Sequence, residues 1–363
     1  MIPLPRLRIR RTRNRPVYLA VVCFAIAAVF VCNCFRRAKS VKTVLIANGF
    51  SVVEQRQRWN VYGVRIDDPI PSYRVHSTEG SNLNEVVIQA FSNGRSRIIE
   101  LDLSCRTYME ESLPIVSKML SLESLTLSNV DSVWPQAVSL HNLHHLSTLT
   151  VRGRGFTDRQ AKELDVLIDL KFLNLSETMI TNQTVVCLSS LPFLQDLKIG
   201  STLVDDACYA ELKSGADDNA FRNLRSIYLG NTRIGDSVSD LLPLFPNISR
   251  IDLSRTQVTD SGIRRVLSEC HELSSIVLDG CELDGELWCD VPWCSSIQFV
   301  SMQNTSVRGE TIVRMCEAHP SVLCVFYFGC EVSQSDGQRI ADILANRQGA
   351  DDDANECDLL IAH

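Results

Sequence analysis

Apolar residues recur through most of the chain in one six-residue phrase, apolar-x-x-apolar-x-apolar. It reads Leu122-Glu-Ser-Leu-Thr-Leu127, Leu146-Ser-Thr-Leu-Thr-Val151, Leu170-Lys-Phe-Leu-Asn-Leu175 and Leu194-Gln-Asp-Leu-Lys-Ile199. It continues as Leu224-Arg-Ser-Ile-Tyr-Leu229, Ile248-Ser-Arg-Ile-Asp-Leu253, Leu273-Ser-Ser-Ile-Val-Leu278 and Ile297-Gln-Phe-Val-Ser-Met302. Ile98-Ile-Glu-Leu-Asp-Leu103 stands in front and Val322-Leu-Cys-Val-Phe-Tyr327 behind. Successive copies begin 24, 24, 24, 24, 30, 24, 25, 24 and 25 residues apart. Near-constant spacing of this kind marks stacked units, each unable to bury its apolar side alone.

Within a unit, the last two apolar residues of the phrase are two apart and so fall on one face of a strand. Three positions later comes Thr178, Thr202, Thr232, Thr256, Cys281, Thr305 or Cys330. A small hydroxyl or thiol there can satisfy backbone groups that no strand ladder reaches. Two further on sits another apolar residue, from Ile180 and Val204 through Val307 and Val332. Thr181-Asn182, Asp205-Asp206, Asp236, Thr259-Asp260 and Asp284 then supply the chemistry that starts helices. A second apolar stripe (Leu188, Leu212, Leu242, Val266, Val291 and Met315) suits a short helix laid on the strand. Each unit therefore predicts one strand and one short helix.

The L-x-x-L-x-L-x-x-T-x-I-T-D pattern, cleanest from Leu170 to Asp260, resembles leucine-rich repeats of the Thr/Cys type, with units of about 24 residues. The resemblance covers residues 98–347 and extends to bacterial membrane-anchored proteins of this class. It implies an α/β fold: a right-handed, ribonuclease-inhibitor-like solenoid with a concave parallel sheet and short convex helices. Early copies depart from it, with Val130 and Arg154 in the Thr position and Trp134 where a helix start is expected. The unit from Leu194 is six residues longer than its neighbours, placing an expected convex loop at Ser214–Asn219.

Outside the repeats, Val17 to Phe35 is almost wholly apolar, with Asn33 its one strongly polar side chain. Nineteen residues at helical rise cover about 28 Å, close to the hydrocarbon thickness of a bilayer. Six arginines precede the run and four basic residues follow it (Arg36, Arg37, Lys39 and Lys42), so the positive-inside rule puts residues 1–16 in the cytoplasm. The repeats are then expected outside it. A cleaved secretory signal shares this layout, with Ala25-Ile26-Ala27 as a cleavage-like site. A buried core helix is a third reading. Continuation of the apolar run through Val31 favours the uncleaved anchor. Residues 36–97 do not show the repeat. Val41–Asn48 reads as a short helix, Phe50–Val53 and Val61–Ile66 as strands, and the whole region as the cap of the solenoid's open end. Ser335–Asn346 reads as the cap at the other end, with Ile340, Ile343 and Leu344 inward, and residues 348–363 as an acidic disordered tail.

Charge sharpens this division. The formal net charge is -7, yet the first 42 residues hold ten basic side chains and no acid. The remainder keeps 26 basic against 43 acidic residues, a formal -17. An acidic body excludes nucleic acid as its partner, because phosphate contacts need a basic surface. None of the common catalytic or phosphate-cradling motifs occurs, and no cofactor is implied. Of the 14 cysteines, Cys281 and Cys330 fall in the Thr position. The others leave three readings open: a disulfide such as Cys289–Cys294, a zinc site that no C-x-x-C pair supports, or buried thiols. His141, His144 and His145 read as a solvated polar turn. Four N-x-S/T sequons, at Asn174, Asn182, Asn247 and Asn304, follow from the repeat itself.

The remaining candidate surface is the concave one. Its expected outward residues are Phe172, Asn174, Asp196, Lys198, Tyr228, Arg250, Asp252, Arg255, Phe299, Gln303, Phe326 and Phe328. Polar residues with scattered aromatics on a rigid frame suit a protein or peptide ligand, or a glycan. Phe172, Lys198, Tyr228, Arg250 and Arg255 form the expected partner-binding patch, with Phe326 and Phe328 open to cover by the C-terminal helix. The reading is a non-enzymatic, single-pass, membrane-anchored interaction protein. The alternative is an intracellular substrate-recognition adaptor resembling the F-box class of these repeats.

Overall fold

A computed structural model describes residues 41–55, 58–61, 64–67, 72–79, 85–94, 98–104, 113–128, 130, 140–215, 220–286, 288, 293 and 295–348. The expected membrane segment, Trp134, the Cys289–Cys294 pair and the acidic tail lie outside these residues. Among the described residues no helix is long and apolar enough to cross a membrane.

The chain begins with α1 (residues 41–47), β1 (Ser51–Gln55), β2 (Arg58–Val61), β3 (Val64–Asp67) and β4 (Ser72–His76). It continues through α2 (Glu85–Gly94), β5 (Ile98–Leu103), α3 (Leu113–Val116), β6 (Ser124–Leu127) and β7 (Thr148–Val151). The regular middle comprises α4 (Asp158–Ala161), β8 (Phe172–Asn174), α5 (Asn182–Leu188), β9 (Asp196–Lys198), α6 (Ala207–Gly215), β10 (Ser226–Tyr228) and α7 (Val238–Leu241). It closes with β11 (Arg250–Asp252), α8 (Asp260–Glu269), β12 (Ser275–Val277), β13 (Phe299–Ser301), α9 (Gly309–Ala318), β14 (Cys324–Phe326) and α10 (Gln334–Gln348). Twelve strands make one sheet in the order β1-β4-β5 and onward to β14, parallel throughout except for antiparallel β1. This is the α/β solenoid that the repeat predicts.

Register explains why the apolar phrase works. Leu101, Leu125, Leu149, Leu173, Leu197, Ile227, Ile251, Ile276, Val300 and Val325 align across β5 to β14 and are buried. The flanking apolar positions of the phrase, such as Leu194 and Ile199, are buried on either side. Each such side chain contributes about 2 kcal/mol by leaving water, and only the neighbouring unit makes that burial complete.

The Thr position behaves as expected. Thr178, Thr202, Thr232, Thr256 and Thr305 each donate to the carbonyl three residues back, at 2.6 to 2.7 Å. The two cysteines differ. Cys281 Sγ donates to the Leu253 carbonyl and Cys330 Sγ to that of Met302, each in the preceding unit and each 3.1 Å away. Those carbonyls already accept from Thr256 and Thr305, so one oxygen serves two donors. Burial pushes the Cys281 thiol up, and that of Cys208, also repelled by Glu211 and Asp205, up to about 12.

The helix-start residues do something the sequence pattern does not predict. Asp158 accepts from the Thr181 N–H and hydroxyl, both at 2.8 Å, and Asp236 from those of Thr259, both at 2.7 Å. Asp206 accepts from the Gly235 N–H at 2.7 Å and Asp260 from that of Gly285 at 2.8 Å. Asn182 exchanges two bonds with Asp205. These side chains bond to the neighbouring unit, Asp205 also accepting from the Ala207 N–H at the start of its own helix, and so tie successive turns together. Asp284 does not start a helix among the described residues; that stretch is turns around buried Trp288.

The N-terminal cap departs from expectation in detail, and the C-terminal one is the helix expected there. The sheet starts before Ile98: β4, α2 and β5 form a further parallel coil, with Val75 paired to Leu101. Val41, Leu45, Phe50 and Phe91 close its apolar end, the Phe50 and Phe91 rings meeting edge to face at 5.8 Å. Val61–Ile66 is not one strand. Val61 pairs with Val64, so β2 and β3 form a separate antiparallel hairpin. At the other end Ile340 of α10 is buried, with Ile343 and Leu344 partly so. Arg347 donates to the Cys316, His319 and Val322 carbonyls, capping the end of α9. In the early units Val130 is buried in the Thr position, and Gly153, at φ 124°, must be glycine because a Cβ would collide with the Val130 backbone.

Candidate functional site on the concave sheet

Strand alternation sends the residues on either side of the buried row to the concave face. Pairing aligns Phe172, Asp196, Ser226 and Arg250 across β8 to β11 in one row, and Asn174, Lys198, Tyr228 and Asp252 in the next. Four of the five expected patch residues are thus neighbours, held by backbone ladders rather than by loops. Arg255 is not on a strand. It sits in the turn after β11 at φ 55°, exposed, with its stem against Gly280. The turn position, two residues past the last apolar one, has positive φ in each unit where it is described, from Gly153 to Gly329, which the apolar pattern alone does not reveal.

Lys198 is the centre of the patch. Its ammonium lies 4.6 Å from the Tyr228 ring centroid and 5.4 Å from that of Phe172. Among the described residues it makes no ion pair or hydrogen bond. Burial pushes its pKa down; Asp196 opposes this, and Arg152 and Arg250 reinforce it. The face of an aromatic ring carries partial negative charge, so two rings stabilise the cation without neutralising it. Burial likewise pushes the Tyr228 hydroxyl up, with Arg250 opposing. Arg250 donates to the Ser226 hydroxyl at 2.9 Å and approaches Asp196 at 3.4 Å.

Two expected concave polar residues are occupied by the backbone. Asn174 is buried and accepts from the Ser176 N–H at 3.0 Å, and Asp252 accepts from the Ser254 N–H at 2.8 Å. Asp279 does the same for Gln303 at 2.8 Å. These side chains hold the turn, and Asp252 keeps its charge there, favouring with Asp196 the charged form of Lys198.

Along the strand ends near Lys198 runs a groove of about 690 Å³, which the sequence reading did not anticipate. Arg152, Glu177, Met179, Ser201, Leu203 and Asn231 line it. Met179 is 38% exposed and Leu203 40%. Their position lies between the Thr and the next apolar residue, where later units carry Arg233, Gln257, Glu282 and Ser306. Two apolar residues in an otherwise polar column were the available signal. Arg152 and Glu177 stand 3.8 Å apart across the groove.

The two ends of the face differ from its middle. On the N-terminal side Arg74 pairs with Glu100 at 3.3 Å, and His76 Nε2 lies 3.3 Å from the same carboxylate. On the C-terminal side Phe299 and Phe326 pack at 5.3 Å, and Phe328 is 78% exposed. The C-terminal helix therefore does not cover Phe328, because α10 packs against the edge of the last coil beside α9. Gln303 also lies beyond its strand, with its backbone on Asp279. His141 and His144 form an exposed edge-to-face pair at 6.3 Å in a turn. Among the described residues no group of His, Cys, Asp and Glu could hold a metal ion.

No protein-family model matches the chain, and no curated protein does. Among the solved structures that resemble it are two internalins. An internalin (inlF) from Listeria monocytogenes is 17% identical, with a TM-score of 0.46 over 70% of this chain and 74% of that one. An internalin C2 (inlC2) from the same organism is 14% identical, with a TM-score of 0.41 over 68% of this chain and 92% of that one. Likeness at this level says nothing of ligand or mechanism.

Proposed function

We propose that this protein is a non-enzymatic interaction protein of the Thr/Cys leucine-rich repeat type, binding a protein or peptide through the centre of its concave sheet. The observation that carries this is Lys198, held between Phe172 and Tyr228 on adjoining strands with Arg250 beside it. Aromatic and arginine side chains on a rigid frame lose little entropy on binding, and such residues dominate interface energetics. Residues 17–35 anchor the chain in a membrane, with the basic N-terminus in the cytoplasm and the repeats displayed outside it. That topology rests on the apolar run and its flanking charges.

Affinity capture with the full-length chain, compared with a Tyr228→Ala/Phe172→Ala form of equal melting temperature, tests the interface. A partner retained equally by both forms places recognition elsewhere. Reporter fusions at each terminus test the topology, and a cytoplasmic C-terminal reporter would sink the extracytoplasmic display.

A further inference from the structure

Outside its first 42 residues the chain carries a formal -17, yet the middle of the concave face gathers Arg152, Lys198 and Arg250. Their arrangement is a diagonal. Thr150 aligns with Lys198 two strands away, so Arg152 stands two residues further along β7's line. Arg250 stands two strands beyond Lys198 on the other side and one row back. Strands about 4.8 Å apart and residues about 3.4 Å apart along them give steps of about 12 Å.

Each outer cation of this diagonal already has a carboxylate: Asp196 meets Arg250 at 3.4 Å and Glu177 meets Arg152 at 3.8 Å, while Asp252 accepts from Ser254 and keeps its charge. Lys198 is the exception: Asp196 and Asp252 favour its charge, but among the described residues it makes no ion pair or hydrogen bond, and nothing there accepts from the Tyr228 hydroxyl. An ammonium with its donors unused, beside a hydroxyl with its proton unused, can bind one further carboxylate.

Resting on the proposed concave interface, we infer that its ligand is an acidic peptide segment in extended conformation, with carboxylates spaced to meet Lys198 and the arginines on either side. One ligand carboxylate takes charge-assisted bonds from Lys198 and the Tyr228 hydroxyl. A second, three or four residues away along a chain rising about 3.1–3.4 Å per residue, reaches Arg250 or Arg152. Apolar ligand side chains between them meet Phe172 and, on the groove side, Met179 and Leu203.

The test is a fluorescence-anisotropy titration of the purified full-length chain with an end-capped peptide carrying Glu at every third or fourth position in a Ser/Ala background. Binding weakens as salt rises, and the Gln-for-Glu peptide does not bind. Lys198→Met, which keeps the packing, weakens binding about tenfold. Arg250→Gln does so independently, and Lys198→Arg restores most of the affinity. Equal binding of the Gln peptide, or full affinity in both Lys198→Met and Arg250→Gln, overturns the inference. So does heparin or single-stranded DNA binding more tightly than the peptide through Lys198. A photo-crosslinking residue at Thr150 separates the two levels. Capture of a protein there without acidic-peptide binding removes only the acidic ligand, and failure of both removes the concave interface as well.

Discussion

The turn at the end of each strand and the concave face beside it are both polar at fixed positions of the repeat. In the turns the Thr and helix-start side chains are answered: Thr232 reaches the Leu229 carbonyl, and Asp236 receives both donors of Thr259. On the face, Lys198 makes no hydrogen bond or ion pair among the described residues and lies against the rings of Phe172 and Tyr228. Buried polar groups are expensive when left unpaired, so a structural one ends up paired. A half-buried cation left unanswered on a rigid sheet contributes little to folding and is available for recognition. The contrast separates residues that hold the coils together from residues that face a partner, although both sets look alike in composition.

Substitution breaks this contrast in graded ways. The largest effect belongs to Thr232→Val, which keeps the shape, removes the hydroxyl from the Leu229 carbonyl, and lowers stability by about 1–3 kcal/mol in urea unfolding. Asp236→Ala leaves the Thr259 N–H and hydroxyl without their acceptor and costs about 1–2 kcal/mol. Its loosening is local, so hydrogen exchange should quicken first around α8. If either substitution proves neutral, the turns are not the structural half of the comparison.

Acid provides a smaller and separable effect at the C-terminal cap. Burial pushes the His319 imidazole below its ordinary value; a bond to the Trp288 backbone opposes this, and Arg347 adds to it. His319 also stacks on Trp293, with ring centroids 4.3 Å apart. With the folded pKa depressed, the unfolded chain takes the proton first. Stability is full above the unfolded value of about 6.5 and is lost as pH falls from there toward the folded pKa. The unfolding midpoint of the wild type should therefore drop more between pH 7.5 and 5 than that of His319→Gln. Equal drops would remove His319 from the account. The smallest effect is expected at Lys198→Met. Stability should change by less than about 0.5 kcal/mol, measured by thermal melting, while ligand binding falls. A large loss of stability there would make Lys198 a structural residue after all.

Much of this fold is legible in the chain because the repeat states one rule ten times. The phrase around Leu194 and Leu224 names the strand, the buried row and the turn that follows, and all appear at those positions. The Thr position is legible too, since a hydroxyl three residues past a strand has one obvious acceptor. The N-terminal coil through β4 is not, because Val75 pairs with Leu101 while Ser72 and Ser77 hold the flanking positions that are apolar in the phrase. Asp206, Asp236 and Asp260 read as helix starts, and their reach into the next unit follows only from how the coils stack. Of the concave patch, Phe172, Lys198, Tyr228 and Arg250 are readable from alternation. Arg255 is displaced into the turn by its left-handed backbone, and Arg152 joins from a strand end.

Periodicity alone was enough to specify a parallel solenoid, its buried rows and its Thr-filled turns, because local spacing decides which side of a strand each residue occupies. It also divided the chain by charge into a basic head and an acidic body. Which carboxylates remain free, which cation lacks a partner, and where three cations from alternate strands form a diagonal depend on register between units 24 to 30 residues apart. Those are properties of neighbours brought together by stacking, and no single unit contains them.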